Sequence, residues 1–261
     1  MNISSVLIIG ATGSMGRLVA AEALRQGYRT LALVRTPSRA SVLPEGVEPV
    51  RGDLTDRESM RAALEGADAV IFAHGAEGSE ETIRQVEYNG VRNVLDLIAH
   101  SEVRIVLTTG VGVTARTSWY NTSHIADWKR RAERLVRSSG QPYTIVRPGW
   151  FDENGPDEQQ LVLRQDDRQY AGGPSDGTVS REQLAQVLVS AVTAPEAAGK
   201  TFELVAEHGP ATIDLNALFD GALADTPHGL DSVGDRADMP LEDEPADVVE
   251  DLRRLSDTTQ E

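Results

Sequence analysis

The sequence predicts an α/β fold, a doubly wound parallel sheet with a small C-terminal substrate-side region, and three observations carry the prediction. Val6-Leu7-Ile8-Ile9 is a short apolar, mostly β-branched run that reads as a buried strand. Arg17 to Leu24 follows at helical spacing, with Leu18, Val19, Ala21 and Leu24 on the inner side. The alternation of a short apolar run and a helical stretch then recurs, six units in all, which is the pattern of a parallel sheet wrapped by helices.

Between the first strand and the first helix stands Gly10-Ala11-Thr12-Gly13-Ser14-Met15-Gly16. Glycine there lets the chain turn sharply, lets a diphosphate reach the backbone, and lets helix and strand pack closely. The helix start adds free N–H groups and a positive dipole end for an anion. Gly10, Thr12, Gly13, Ser14, Met15 and Gly16 are therefore the expected diphosphate cradle for a dinucleotide in a Rossmann fold.

The remaining elements follow in order. The first helix stops near Gln26-Gly27, and Arg29 to Val34 reads as the second strand. At the end of this strand NAD-binding folds place an acid on the ribose, and NADP-binding folds a basic residue. No Asp or Glu lies between Tyr28 and Leu43, while Arg35 and Arg39 do, so NADP is expected ahead of NAD. The alternative is that both are surface arginines of a loop. Val47 to Val50 is a short third strand, and Asp56 is the expected N-cap of a helix running through Leu64. Asp53 and Leu54 join the expected cofactor set; Asp53 either reaches the adenine amino group or serves only the turn.

Ala67 to Ala73 is the fourth strand, and the small residues around its end, Ala73-His74-Gly75, let the backbone lie along a ribose. Glu80 to His100 reads as one long helix with Ile83, Val86, Val91, Val94, Leu95 and Ile98 inward. Val103 to Thr109 is the fifth strand, with Thr108 and Thr109 at its carboxyl end, where such sheets bind ligands. Ser123 to Ser139 is a helix and Tyr143 to Arg147 the sixth strand, after which Pro148-Gly149 turns the chain out of the sheet. Residues 150–180 lack periodicity and read as substrate-side loops with short strands. A helix over Arg181 to Thr193, a strand over Thr201 to Ala206 and a short helix from Asp214 to Leu223 complete the domain, placed at residues 1–225.

Composition sets the bounds. The 261 residues, 40% hydrophobic, suit one α/β domain with a large core. The absence of cysteine removes a disulfide frame, a thiolate nucleophile and a cysteine-based metal site; no metal is expected. The N-terminus has no signal-peptide pattern and no apolar run reaches membrane-spanning length, so a cytoplasmic protein is expected. A net charge of −16 argues against nucleic-acid and anionic-membrane partners. Eight of those sixteen excess negative charges fall in residues 226–261, which read as a weakly ordered acidic tail. Within it Val248, Val249, Leu252 and Leu255 share one face of a short helix from Pro245 to Leu255.

The glycine turn, Gly52-Asp53-Leu54-Thr55-Asp56, Tyr88-Asn89-Gly90-Val91-Arg92-Asn93-Val94 and Tyr143-Thr144-Ile145-Val146-Arg147-Pro148-Gly149 together resemble the atypical short-chain dehydrogenase/reductase family, its NAD(P)-binding, NmrA-like branch. The resemblance spans about Val6 to Ala206 and implies a homodimer. Active members carry a Tyr four residues before a Lys on the helix after strand five. Residues four apart share a helix face, so that Lys holds the ribose and lowers the Tyr pKa while Tyr exchanges a proton with substrate. Here the Lys is Lys129, and Ile125 stands at the Tyr position. The anchor is kept and the proton donor is missing. Replacement candidates are His124, Tyr120 and a water held by Thr109, with Thr108 and Thr109 at the position of the family's Ser or Thr. His124 is otherwise a partly exposed helix residue, and Trp119 with Tyr120 otherwise a hydrophobic lid. Trp128, Trp150 and Phe151 are either core or a flat pocket for an aromatic, quinone-like small molecule.

The expected activity is NADP(H)-dependent reduction of a quinone, flavin or conjugated carbonyl, acceptors that need little help from an acid. The alternatives are a non-catalytic NAD(P)-binding redox sensor and a cofactor-retaining isomerase or dehydratase.

Overall fold

The computed structural model describes residues 2–258. Its strands are β1 (Ser5–Ile9), β2 (Arg29–Val34), β3 (Glu48–Arg51), β4 (Ala69–Phe72), β5 (Arg104–Thr108), β6 (Tyr143–Pro148), β7 (Trp150–Phe151), β8 (Gln160–Arg164), β9 (Thr178–Val179) and β10 (Lys200–Glu207). They form one sheet in the order β3-β2-β1-β4-β5-β6-β10, parallel throughout. β8 and β9 add antiparallel to β10, and β7 pairs with β9. The winding direction reverses between β1 and β4, so a crevice opens there at the carboxyl ends of the strands.

Helices α1 (Ser14–Arg25), α6 (Arg181–Ser190) and α7 (Leu215–Asp220) cover one face, where Val19, Ala23, Leu184, Leu188 and Phe219 are buried. The other face is covered by α2 (Arg61–Leu64), α3 (Glu80–Ile83), α4 (Gly90–Ile98), α5 (Ile125–Ser138) and α8 (Ala246–Thr258). No helix among the described residues is long and apolar enough to cross a membrane.

Three local expectations change. Asp56 does not cap a helix: a 3-10 turn at Glu58–Met60 intervenes, and α2 is only four residues long. The Asp56 carbonyl instead accepts from Ser59 Oγ at 2.8 Å. The long helix is continuous but contains a π-helical segment, Arg84–Asn89, between α3 and α4. Nor does Ser123 cap α5. The cap residue is His124, in left-handed backbone geometry, and the side-chain acceptor is Asn121, whose Oδ1 takes N–H bonds from Ala126 at 3.0 Å and Asp127 at 3.2 Å.

The largest correction is the acidic tail. Every residue of α5 from Ala126 to Arg137 is buried, including four arginines. A buried guanidinium must be paired, because its desolvation is otherwise uncompensated. For three of them the partners come from the tail: Asp231 and Asp238 on Arg130, Glu244 on Arg131 and Arg134, and Asp231 again on Arg134, while Arg137 pairs with Glu133 and Asp225. Asp235 meets Arg147 at 2.7 Å from the strand side. α8 then seats Val248, Leu252 and Leu255 in the core, as their spacing predicts, and Asp251 accepts from the Tyr88 hydroxyl at 3.0 Å. The last three residues of the expected tail lie outside the described residues.

This packing makes the tail a structural requirement. Glu244→Gln leaves two buried arginines short of a charge and should cost about 3 kcal/mol in denaturant unfolding. Asp231→Asn should act similarly. Burial opposes ionisation of Asp231, but bonds from Arg134 and Arg130 outweigh it and hold the carboxyl below its usual value. Its contribution is therefore full above about pH 4 and lost as pH falls through the lowered folded value, and Asp231→Asn should remove that part of the acid dependence. Unchanged unfolding midpoints in both variants would reduce the tail to a surface coat.

Candidate active site

The glycine turn is held by contacts that leave no room for side chains at two of its three glycines. Gly10 has φ +84°, and a Cβ there would stand 2.6 Å from the Ala73 carbonyl oxygen. A Cβ on Gly16 would stand 2.2 Å from the Gly10 oxygen. Gly13 is different: it caps α1 in extended geometry, and its Cβ would meet only the Gly10 oxygen, at 3.2 Å. Gly10 and Gly16 serve the turn, and Gly13 keeps the cavity side of the turn open.

A cavity of about 770 Å³ runs from this turn over the carboxyl ends of β4, β5 and β6. Of the expected residues it collects Gly13, Ser14, Met15, Ala73, His74, Gly75, Thr108, Thr109, Tyr120, Lys129, Pro148 and Gly149. Gly10, Thr12 and Gly16 sit behind it in the turn. Leu54 packs on Gly90. Asp53 lies outside the cavity lining and braces the turn, its Oδ1 accepting from the backbone and hydroxyl of Thr55 at 2.9 and 2.8 Å. Arg35 and Arg39 lie exposed past the end of β2, outside the cavity lining, and neither pairs with a carboxylate among the described residues.

His124 is not brought to the cavity. Its side chain is half exposed and its ring faces Asp127 at 3.4 Å and Glu80 at 3.9 Å. Thr109 lines the cavity, but its hydroxyl donates to Glu133 Oε1 at 2.7 Å. Thr108 also lines the cavity, but its hydroxyl oxygen is buried and has no protein partner. Trp128 is core, against Tyr88 and under the Arg84 and Arg131 guanidinium groups. Trp150 and Phe151 line the cavity, joined by Tyr120 and by Tyr170 from the loop after β8. Tyr120 and Trp150 meet edge to face at 6.4 Å. Trp119 lies over Gly172 and stays exposed. Asp167, almost fully buried, fixes the opposite loops by accepting from Gly112 N at 2.6 Å and Thr114 N at 2.8 Å.

Lys129 reaches the cavity from α5 and is buried. Its Nζ donates to Glu87 Oε2 at 3.1 Å. Glu87 comes from the π-helical segment and is the main functional candidate that local sequence reading misses. The available signal was a carboxylate between Val86 and Tyr88 in a helix whose neighbouring positions face inward. Its other oxygen accepts from Ala76 N at 2.7 Å. Burial opposes its ionisation, but Lys129 above all keeps its carboxyl below the usual range. The His74 side chain is buried, and burial lowers its pKa, disfavouring the charged ring. Glu133, also missed, is pulled down to about 2 against burial by Arg147 and Arg137.

A family model described as NAD(P)H-binding matches residues 10–195. The chain belongs to the NAD(P)H-binding family. Among relatives of this family, sanguinarine reductase from Eschscholzia californica is 27% identical over 260 residues, covering 82% of this chain and 94% of the relative. A photosystem II assembly factor from Synechocystis is 26% identical over 204 residues, covering 77% of this chain and 62% of the relative. An anaerobillin reductase from Escherichia coli shares the fold, with TM-score 0.62 and 22% identity over 80% of this chain and all of that one. The resemblance to atypical short-chain dehydrogenases/reductases thus holds, and the chain is an oxidoreductase that binds a nicotinamide cofactor.

The cavity residues fit that cofactor: an open backbone at Gly13 on a helix N-terminus for the diphosphate, and a buried lysine with spare donors for a ribose. Gly13→Val should therefore abolish NADPH binding, followed by nucleotide fluorescence, while the thermal melt stays cooperative. Gly16→Val should lose the cooperative melt itself. Normal NADPH binding by Gly13→Val would make the turn purely structural.

Proposed function

We propose that the chain is an NADPH-dependent reductase of flat conjugated acceptors: a quinone, a flavin or a conjugated carbonyl. The observation that carries this reading is Lys129 set in one cavity between the glycine turn and an aromatic wall of Tyr120, Trp150, Phe151 and Tyr170. When bound, the reduced nicotinamide supplies a hydride. Lys129 holds the ribose hydroxyls with the donors not given to Glu87. The aromatic wall stacks a flat acceptor and excludes water from it. Thr108 and Thr109 close the floor of the cavity at the end of β5.

The proton comes from Tyr120. Ile125 lines the cavity where a tyrosine would stand in the family pattern and has nothing to donate. The Tyr120 phenol enters the cavity that Lys129 lines from the turn before α5. It thereby takes the place, from a different stretch of backbone, of the tyrosine that α5 lacks. A reduced quinone or flavin can also collect its proton from water, whereas a carbonyl oxygen developing negative charge needs a donor in the transition state. Arg35 and Arg39, exposed past the end of β2 and without carboxylate partners among the described residues, support NADPH over NADH. The relative named as a reductase supports the reaction class. A second reading, a non-catalytic NADPH-binding sensor, is favoured by Ile125 alone.

Oxidation of NADPH and NADH by a panel of quinones, flavins, conjugated carbonyls and simple ketones tests this. The parent should prefer NADPH and reduce simple ketones poorly. Arg35→Ala should weaken NADPH binding about tenfold and spare NADH, consistent with loss of one charged hydrogen bond. Tyr120→Phe should slow conjugated carbonyls about a hundredfold and quinones far less. Equal use of both nucleotides, or full carbonyl turnover in Tyr120→Phe, would contradict the proposal. Tight NADPH binding with no acceptor turned over would favour the sensor.

A further inference from the structure

We infer that Glu87 is the positioning residue of this site: it keeps Lys129 charged and aimed in a pocket too dry to do so by hydration. The inference rests on the reading that Lys129 serves a bound nicotinamide cofactor.

The chain has only two lysines, Lys129 and Lys200, and every other basic residue of α5 is an arginine. The four neighbouring arginines point to structural carboxylates. Of the basic residues of α5, Lys129 alone lines the cavity, where it is 6% exposed. A lysine so buried loses its proton readily unless a fixed negative charge opposes the loss. Glu87 is that charge. It is 3% exposed and held at both ends, one oxygen on Ala76 N at 2.7 Å and the other on Lys129 Nζ at 3.1 Å. The π-helical segment that carries it is a distortion often found at functional sites.

The other groups facing Lys129 do not substitute for Glu87. Glu133, one turn along α5, is already engaged by Arg137, Arg147 and the Thr109 hydroxyl. Tyr120 faces Lys129 as a phenol from the preceding turn. His74, at the end of β4, stands 3.9 Å from Glu87, beyond hydrogen-bond reach, and burial disfavours its charged form. Burial pushes the Lys129 ammonium towards losing its proton, and Glu87 leads the effects that more than restore it. Two Lys129 N–H donors then remain for ribose hydroxyls, already aimed before any ligand arrives.

Two lysines give two Cε signals in protein labelled with ¹³C-lysine, and Lys129→Arg assigns them. In the parent without cofactor, Lys129 should titrate above the ordinary lysine value. In Glu87→Gln it should titrate between roughly pH 6 and 9, the range open to a buried unpaired lysine. Glu87→Asp should restore most of the parent behaviour. NADPH affinity of Glu87→Gln should match the parent near pH 6 and fall at least about tenfold by pH 9, where the parent stays flat. An unchanged Lys129 titration in Glu87→Gln would overturn the inference. A shifted titration in a protein whose parent binds no NADPH would support Glu87 and count against the functional reading instead. Should Glu87→Gln not fold, Glu87→Gln/Lys129→Met leaves no unpaired charge. It should bind NADPH as Lys129→Met does, and a further loss in the double variant would overturn the inference.

Discussion

The structure depends on the neutralisation of α5. This helix has no solvent-facing side over twelve residues, Ala126 to Arg137, and carries charge on most turns. Replacing water around four guanidinium groups is costly, and only well-placed carboxylates offset it. The tail supplies Asp231, Asp238 and Glu244, while Glu133 and Asp235 bind Arg147 on β6 between them. Sheet, helix and tail are therefore one electrostatic unit. The strong negative charge of the tail is the counterpart of an internal positive charge, and solubility alone does not account for it.

That unit has a functional consequence because Lys129 belongs to the same helix. The arginine side of α5 is pinned by the tail, so the Lys129 side meets the cavity at a fixed angle. Glu133 extends the coupling: it joins Arg137 and Arg147 to the Thr109 hydroxyl at the cavity edge. Thr109 thereby becomes part of the frame. The missing tyrosine at position 125 also becomes intelligible. A tyrosine side chain need not come from one helical turn before the lysine, because the 3-10 turn Trp119–Asn121 delivers Tyr120 to the same cavity.

The fold was legible where physics is local. The apolar run at Val6, the glycines at 10, 13 and 16 and the helical spacing after them require only neighbours in sequence, and strands and helices fall within a few residues of expectation. The cavity residues at the ends of β4, β5 and β6 were legible for the same reason, since parallel sheets bind there. Illegible were pairings over long separations. Arg134 and Asp231 are 97 positions apart, so no local pattern pairs the arginine with an acid from a stretch that reads as a weakly ordered tail. Glu87 was hidden by a change of helical pitch that side-chain periodicity does not announce. Of the two readings of His124 the structure shows the half-exposed one, and its left-handed backbone is not announced by helical spacing.

The central claim is that one cavity holds the cofactor against Lys129 with Tyr120 on the acceptor side. A crystal structure of the protein with NADPH bound tests it most directly. The diphosphate should lie on the Gly13 backbone, the nicotinamide ribose on Lys129 Nζ with the Glu87 bond intact, and the exposed nicotinamide face towards Tyr120 and Trp150. A nicotinamide ribose that makes no contact with Lys129, or a nicotinamide turned away from Tyr120, would contradict it.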